Sequence, residues 1–147
     1  MHRSLKELVQ LNTVQWRASS GLLQNLSQAK TLLLTADAGV GTRWAESGGH
    51  GPKVLALAGG LPVGWRTKQA AETLGWPVIC VVGYEKDQVM AVYDTFTVRG
   101  VMYVEAENPM GGTGYAFYHA AAVPGLNDSD ALVIATLGDQ PWYDREV

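Results

Sequence analysis

One cysteine in 147 residues, Cys80, leaves the chain with no disulfide framework. It sits inside the apolar run PVICVVG, which predicts a packing role and a reducing compartment. Long apolar runs are missing as well. None approaches the roughly 20 residues of a membrane span, and the opening MHRSLKELVQLNTVQW lacks the unbroken apolar centre of a signal peptide. Neither sign of charge prevails. With 11 Lys and Arg against 14 Asp and Glu, the net charge is −3 and the pI about 5.5. A chain without a broad positive field is not expected to bind nucleic acid, so any anion must be held by local geometry. These absences predict a soluble, cytoplasmic protein with neither nucleic acid nor membrane as partner. At 147 residues, 47 % of them hydrophobic, one core is the expectation.

What is present changes character near residue 30. Residues 3–29 have few helix breakers and carry Leu5, Leu8, Val9, Trp16, Leu22, Leu23 and Leu26 at mostly helical spacing. This predicts a helical extension over 1–30, divided in two at Ser19, Ser20 and Gly21. From residue 31 on, β-rich runs (TLLLTA, PVICVVG, VMYVE, ALVIATL) alternate with helical stretches at Trp65 to Leu74, Glu85 to Phe96 and Tyr115 to Ala122. That order predicts an α/β domain over 31–147, a mostly parallel sheet sandwiched between helices in three layers. In such sheets ligands lie at the carboxyl ends of the strands.

Three loops leave those ends: ADAGVGTRW, EAENPMGGTGYA and GDQP. The first is rich in glycine and carries an arginine, a combination suited to an anion. It is not a phosphate-cradling P-loop, which needs a lysine directly before its Ser or Thr; Gly41-Thr42-Arg43 has none. Nor is it a dinucleotide fingerprint, because Trp44 stands where the third glycine belongs. His50 and His119 have no partners at metal-ligand spacing and are expected to be structural.

Five elements in order, ADAGVGTRW, GPKVLALAGGLPV, PVICVVGYEKDQV, NPMGGTGYAFYHAA and LVIATLGDQP, together resemble the nucleotidyltransferase family. The likeness is strongest to its N-acetylglucosamine-1-phosphate uridylyltransferase branch, whose Rossmann-like domain has the elements L-A-A-G-x-G-T-R-M, L-P-K-V-L with L-A-G-x-P, V-V-V-G-H, Q-L-G-T-G-H-A and G-D-V-P-L. The resemblance covers residues 31 to 141 and leaves out the first thirty.

The resemblance implies a fold that wraps a nucleoside triphosphate, UTP in that branch, and transfers its nucleotidyl group to a sugar-1-phosphate with loss of pyrophosphate. Ala38, Gly39, Gly41 and Thr42 would form the phosphate loop, with backbone N–H groups facing the anion. Arg43 would neutralise the β- and γ-phosphates, and Lys53 would contact the α-phosphate and the sugar phosphate. Gly112 and Thr113 match the loop that reads the base. Asp139 matches the aspartate that binds Mg2+, an ion that takes oxygen ligands and bridges to phosphates.

Three departures set further expectations. Asp37 stands where the family has small or apolar residues, and its carboxylate would repel a triphosphate unless a metal intervenes or the side chain turns away. Glu107 stands where a glutamine reads uracil, and an ionised carboxylate only accepts hydrogen bonds, which leaves the base open. Finally, these residues match the first half of the family domain, before its sugar pocket. The same residues are thus also expected of a non-catalytic nucleotide-binding or assembly module. An uncovered edge or face predicts a homo-oligomer built partly on the N-terminal helix, with Trp16 and Leu23 as candidates.

Overall fold

A computed structural model describes residues 16–17, 28–106, 112–120 and 130–139. Its main sheet has five strands: β1 (Trp16–Arg17), β2 (Thr31–Ala36), β5 (Val78–Val82), β6 (Met102–Glu105) and β7 (Leu132–Leu137), in the order β1-β6-β5-β2-β7. β2 pairs in parallel with β5 and β7, and β5 with β6; β1 alone runs antiparallel, against β6. A two-stranded hairpin, β3 (Leu57–Ala58) and β4 (Leu61–Pro62), stands apart. Its Gly59-Gly60 turn has φ of 61° and 81°, which suits the positive-φ turns that join tight hairpins. The helices are α1 (Thr42–Glu46), α2 (Val63–Thr73), α3 (Lys86–Phe96) and α4 (Gly112–Ala120), with a 3-10 turn at Lys53–Leu55.

The strand runs fall where their β-branched and apolar residues place them. β5, VICVV, is buried at every position, as expected of a central parallel strand covered on both faces. In β2 the side chains alternate. Leu32 and Leu34 face a core shared with Ile79, Val81, Met102, Val104 and the α4 residues Ala116 and Ala120. Leu33 faces the opposite core, with Cys80, Val82 and Tyr103, the α2 residues Trp65 and Ala71, and the α3 residues Val89 and Tyr93. Helices therefore cover both faces, and the protein is an α/β sandwich on a mostly parallel sheet.

Two local expectations are corrected. Trp16 and Arg17, placed in a helix by apolar spacing, instead form β1, with Trp16 opposite Val104 and Arg17 opposite Tyr103. The edge of β6 offers a row of backbone donors and acceptors, and pairing with it outweighs a local helical pattern. Gly112 and Thr113, expected in a loop, are the first two residues of α4. Leu23 and Glu107 lie outside the described residues. The helix expected from Trp65 starts at Val63, directly after Pro62, whose φ of −56° is that of a helix entry.

The order matters for function. Counting only the parallel strands in chain order, the sheet reads third, second, first, fourth. The direction of winding reverses between β2 and β7, and the crevice at the carboxyl ends of such a pair is where open α/β sheets bind ligands.

Candidate active site at the carboxyl ends of β2 and β7

β2 ends at Ala36 and β7 at Leu137, and each is followed at once by an aspartate-bearing turn. The two turns are tied together by the Gly138 N–H, which donates to the Ala36 carbonyl at 2.9 Å. Beyond β2 the chain runs through Asp37, Ala38, Gly39 and Val40 to Gly41, which has φ of 66° at the entry to α1. This left-handed backbone favours glycine. It also brings the chain against Lys53: a Cβ on Gly41 would lie 3.5 Å from Lys53 Cβ. Lys53 opens the 3-10 turn after the buried Pro52 and reaches across to Asp139, Nζ to Oδ2 2.7 Å.

The structure thus brings together Gly41, Lys53 and Asp139, three residues separated by nearly the whole sheet in sequence. Lys53 is 52 % exposed and Asp139 25 %, so both ends of the pair remain open to a ligand from solvent. Gly39 is exposed with open space where a side chain would be. Ala38 is buried, and its carbonyl accepts the Tyr84 N–H, which anchors the loop to the turn after β5. Thr42 and Arg43 are exposed on the first turn of α1. The Arg43 guanidinium has no ion-pair partner among the described residues. Gly112 and Thr113 belong to α4, whose buried alanines face the sheet's other side.

The turn after β5 carries its own charge pair. Lys86, the first residue of α3, donates to Glu105 at the end of β6 at 2.6 Å, and this bond raises the Lys86 pKa above its ordinary 10.5. Before it, Glu85 adopts φ of 51°, a left-handed conformation that costs a non-glycine residue energy and is commoner in functional loops.

Asp37 turns away from the crevice. Its carboxylate is fully buried and its Oδ2 accepts from Lys68 Nζ at 2.8 Å and from Tyr93 Oη at 2.5 Å. Lys68, also fully buried, donates in addition to the Gly64 carbonyl at 2.7 Å. The repulsion expected between Asp37 and an anion is thereby met by an internal cation. Burial first, and then the Asp37 charge, push both the Cys80 thiol and the Tyr93 hydroxyl well above their ordinary values. Cys80 is the inert packing residue its run suggested.

Sequence reasoning missed Lys68 and Tyr93, although the helical pattern carried a signal of both. Lys68 lies on the α2 stripe of Gly64, Trp65 and Ala71, and Tyr93 lies one turn after Val89. A lysine on an apolar stripe requires a buried acid, and Asp37 follows an otherwise apolar strand.

Among the described residues no three His, Cys, Asp or Glu side chains form a metal cluster. One accessible carboxylate does fit Mg2+, which is commonly held by one or two protein carboxylates plus substrate phosphates. A cleft of about 390 Å3 lies at the other end of the sheet, lined by Lys30, Glu72, Trp76, Pro77 and Arg99 among others. Arg99 lies there against Gly75, just past the end of α2, where a cation complements the helix dipole.

Compared with known proteins, the chain matches no protein-family model and no curated protein.

Proposed function

We propose that this chain is a nucleotidyltransferase-like protein that binds a nucleoside triphosphate with Mg2+ in the crevice between β2 and β7. The observation that carries it is the meeting of Gly41, Lys53 and Asp139 at the point where the winding reverses. A cation and an accessible carboxylate that pair with each other among the described residues are suited to separate when a ligand supplies both a phosphate and a metal.

In the transfer reaction a sugar-1-phosphate oxygen bonds to the α-phosphorus of the triphosphate, and the bond to the β-phosphate oxygen breaks to release pyrophosphate. No protein nucleophile takes part, so the chain's work is positioning and charge stabilisation. The glycine loop holds the phosphates by its backbone N–H groups. Arg43 neutralises the β- and γ-phosphates that become the leaving group, and Lys53 balances charge at the α-phosphate. Asp139 is the protein ligand for Mg2+, which when bound supplies a Lewis acid for the phosphate oxygens.

Titration of UTP, CTP, GTP, ATP and dTTP with Mg2+, followed by a pyrophosphate-release assay with N-acetylglucosamine-1-phosphate, tests this directly. Binding with little or no release is the expected outcome, since the residues that match the family lie before its sugar pocket. Release that depends on the sugar phosphate and on Asp139 would establish turnover by this chain, and no binding of any of the five would end the proposal.

A further inference from the structure

The charged groups nearest the crevice are not all in it. Beneath the Gly138–Asp139 turn, Asp37 joins four elements: it follows β2, accepts from Lys68 of α2 and Tyr93 of α3, and presses against Gly138 after β7. A Cβ on Gly138 would overlap the Asp37 carboxylate. Gly138 does not have a positive φ, so its backbone would accept alanine, and only the carboxylate excludes a side chain. On the other flank a Cβ on Gly64 would overlap Tyr93 Oη. Two glycines therefore make room for one buried acid and its donors.

We propose that Asp37 is a positioning residue for Asp139. Fixed by Lys68 and Tyr93, its carboxylate is the seat on which the Gly138–Asp139 turn rests, and it sets how Asp139 faces Lys53. The inference rests on Asp139 being the metal-side carboxylate proposed above.

Stability alone does not call for this arrangement. Replacing a buried ion pair by apolar groups of like volume is often neutral or stabilising, and among the described residues the buried charges, Asp37 and Lys68, both lie outside the core toward α4. The cluster is also incompletely satisfied, since Asp37 Oδ1 and Thr35 Oγ1 are buried without a hydrogen-bond partner. What the pair does supply is a rigid, internally neutral support whose unused oxygen side abuts the turn bearing Asp139. Lys68 cancels the charge of Asp37, so the support does not repel phosphate.

The test is a cycle of variants read by urea unfolding and by UTP titration with and without Mg2+. Gly138→Ala should lower the unfolding midpoint in the otherwise native chain and cost little in the Asp37→Ala/Lys68→Met background, where the obstructing carboxylate is gone. Equal losses in both backgrounds would overturn the seat, and this arm needs no ligand. In the second arm the Asp37→Ala/Lys68→Met protein should bind UTP alone as the native chain does but lose about 10- to 100-fold of the affinity gained with Mg2+, as supporting residues around metal sites typically cost. A native Mg2+ response in that folded variant would overturn the positioning role. Should the double variant not fold, Gly138→Ala, which keeps every charge, carries the same expectation and the same contrary result. Failure of the underlying site shows separately, as native protein whose UTP binding ignores Mg2+.

Discussion

The two faces of the sheet are built from the same strands and differ in one respect. Toward α4 the buried side chains are Leu32, Leu34, Ile79, Val81, Met102 and Val104 with Ala116 and Ala120. Toward α2 and α3, β2 presents Leu33, then Thr35, and is followed by Asp37. Polarity on that face rises along β2 toward its carboxyl end and culminates beneath the glycine loop and Asp139. One core shows that these strands can be stabilised by apolar packing alone. The other adds the buried charges of Asp37 and Lys68, which lie at the crevice end of β2, so the comparison bears on the proposed site.

The sharpest way to break this contrast is to remove half of the buried pair. Asp37→Ala or Lys68→Met alone strands a buried charge and should cost about 3–5 kcal/mol in urea unfolding, whereas the two together should cost less than the sum of the single losses, with the Tyr93 hydroxyl and the Gly64 carbonyl left unpartnered. On the apolar face, Leu32→Ala should cost about 2–5 kcal/mol by cavity formation. That variant should leave the Mg2+ response of UTP binding intact, because Leu32 lies at the start of β2, paired with Val133, and both turns follow the strands' other ends. A destabilised Leu32→Ala protein with an altered Mg2+ response would erase the distinction between the faces.

Alkali should act first on the polar face. Cys80 and Tyr93 hold their protons in the folded state above the ordinary values of 9.0 and 10.0, so above those values the unfolded chain releases protons that the folded chain keeps. Stability is then level below about pH 9 and falls as pH rises, by up to about 1.4 kcal/mol per pH unit for each group until its folded value is passed. Thermal unfolding through the alkaline range measures it, and Cys80→Ala should delay the onset toward the ordinary tyrosine value. The smallest effect on stability belongs to the crevice pair itself. Lys53 is 52 % exposed, so Lys53→Ala should change unfolding by less than about 1 kcal/mol while weakening UTP binding several fold. A large loss of stability would make the Lys53–Asp139 pair a structural tie.

The elements that were legible in the sequence are those whose pattern is local. TLLLTA, PVICVVG, VMYVE and ALVIATL read as strands from composition, and their alternation with helices implied parallel pairing. The turn residues Gly41, Lys53 and Asp139 were legible as motifs, and their convergence follows once the strands are ordered. What the sequence hid depends on distant partners. Trp16 carries helical spacing yet pairs with the free edge of β6. Asp37 looked like an obstacle to phosphate until Lys68 and Tyr93, 31 and 56 residues further on, supplied its partners. Gly112 and Thr113 read as loop because GGTG resembles a base-reading loop, yet they open α4, which packs through Ala116 and Ala120.

The central claim is that Asp139 and Lys53 exchange their mutual contact for a metal and a phosphate. Calorimetric titration of UTP into native protein and into Asp139→Asn, each with and without Mg2+, tests it most directly. The account predicts that Mg2+ tightens binding to the native chain and does so far less for the variant, with UTP alone bound no more weakly by Asp139→Asn because Lys53 is released from its carboxylate. An equal Mg2+ response in both proteins would contradict it and return Asp139 to a structural partner of Lys53.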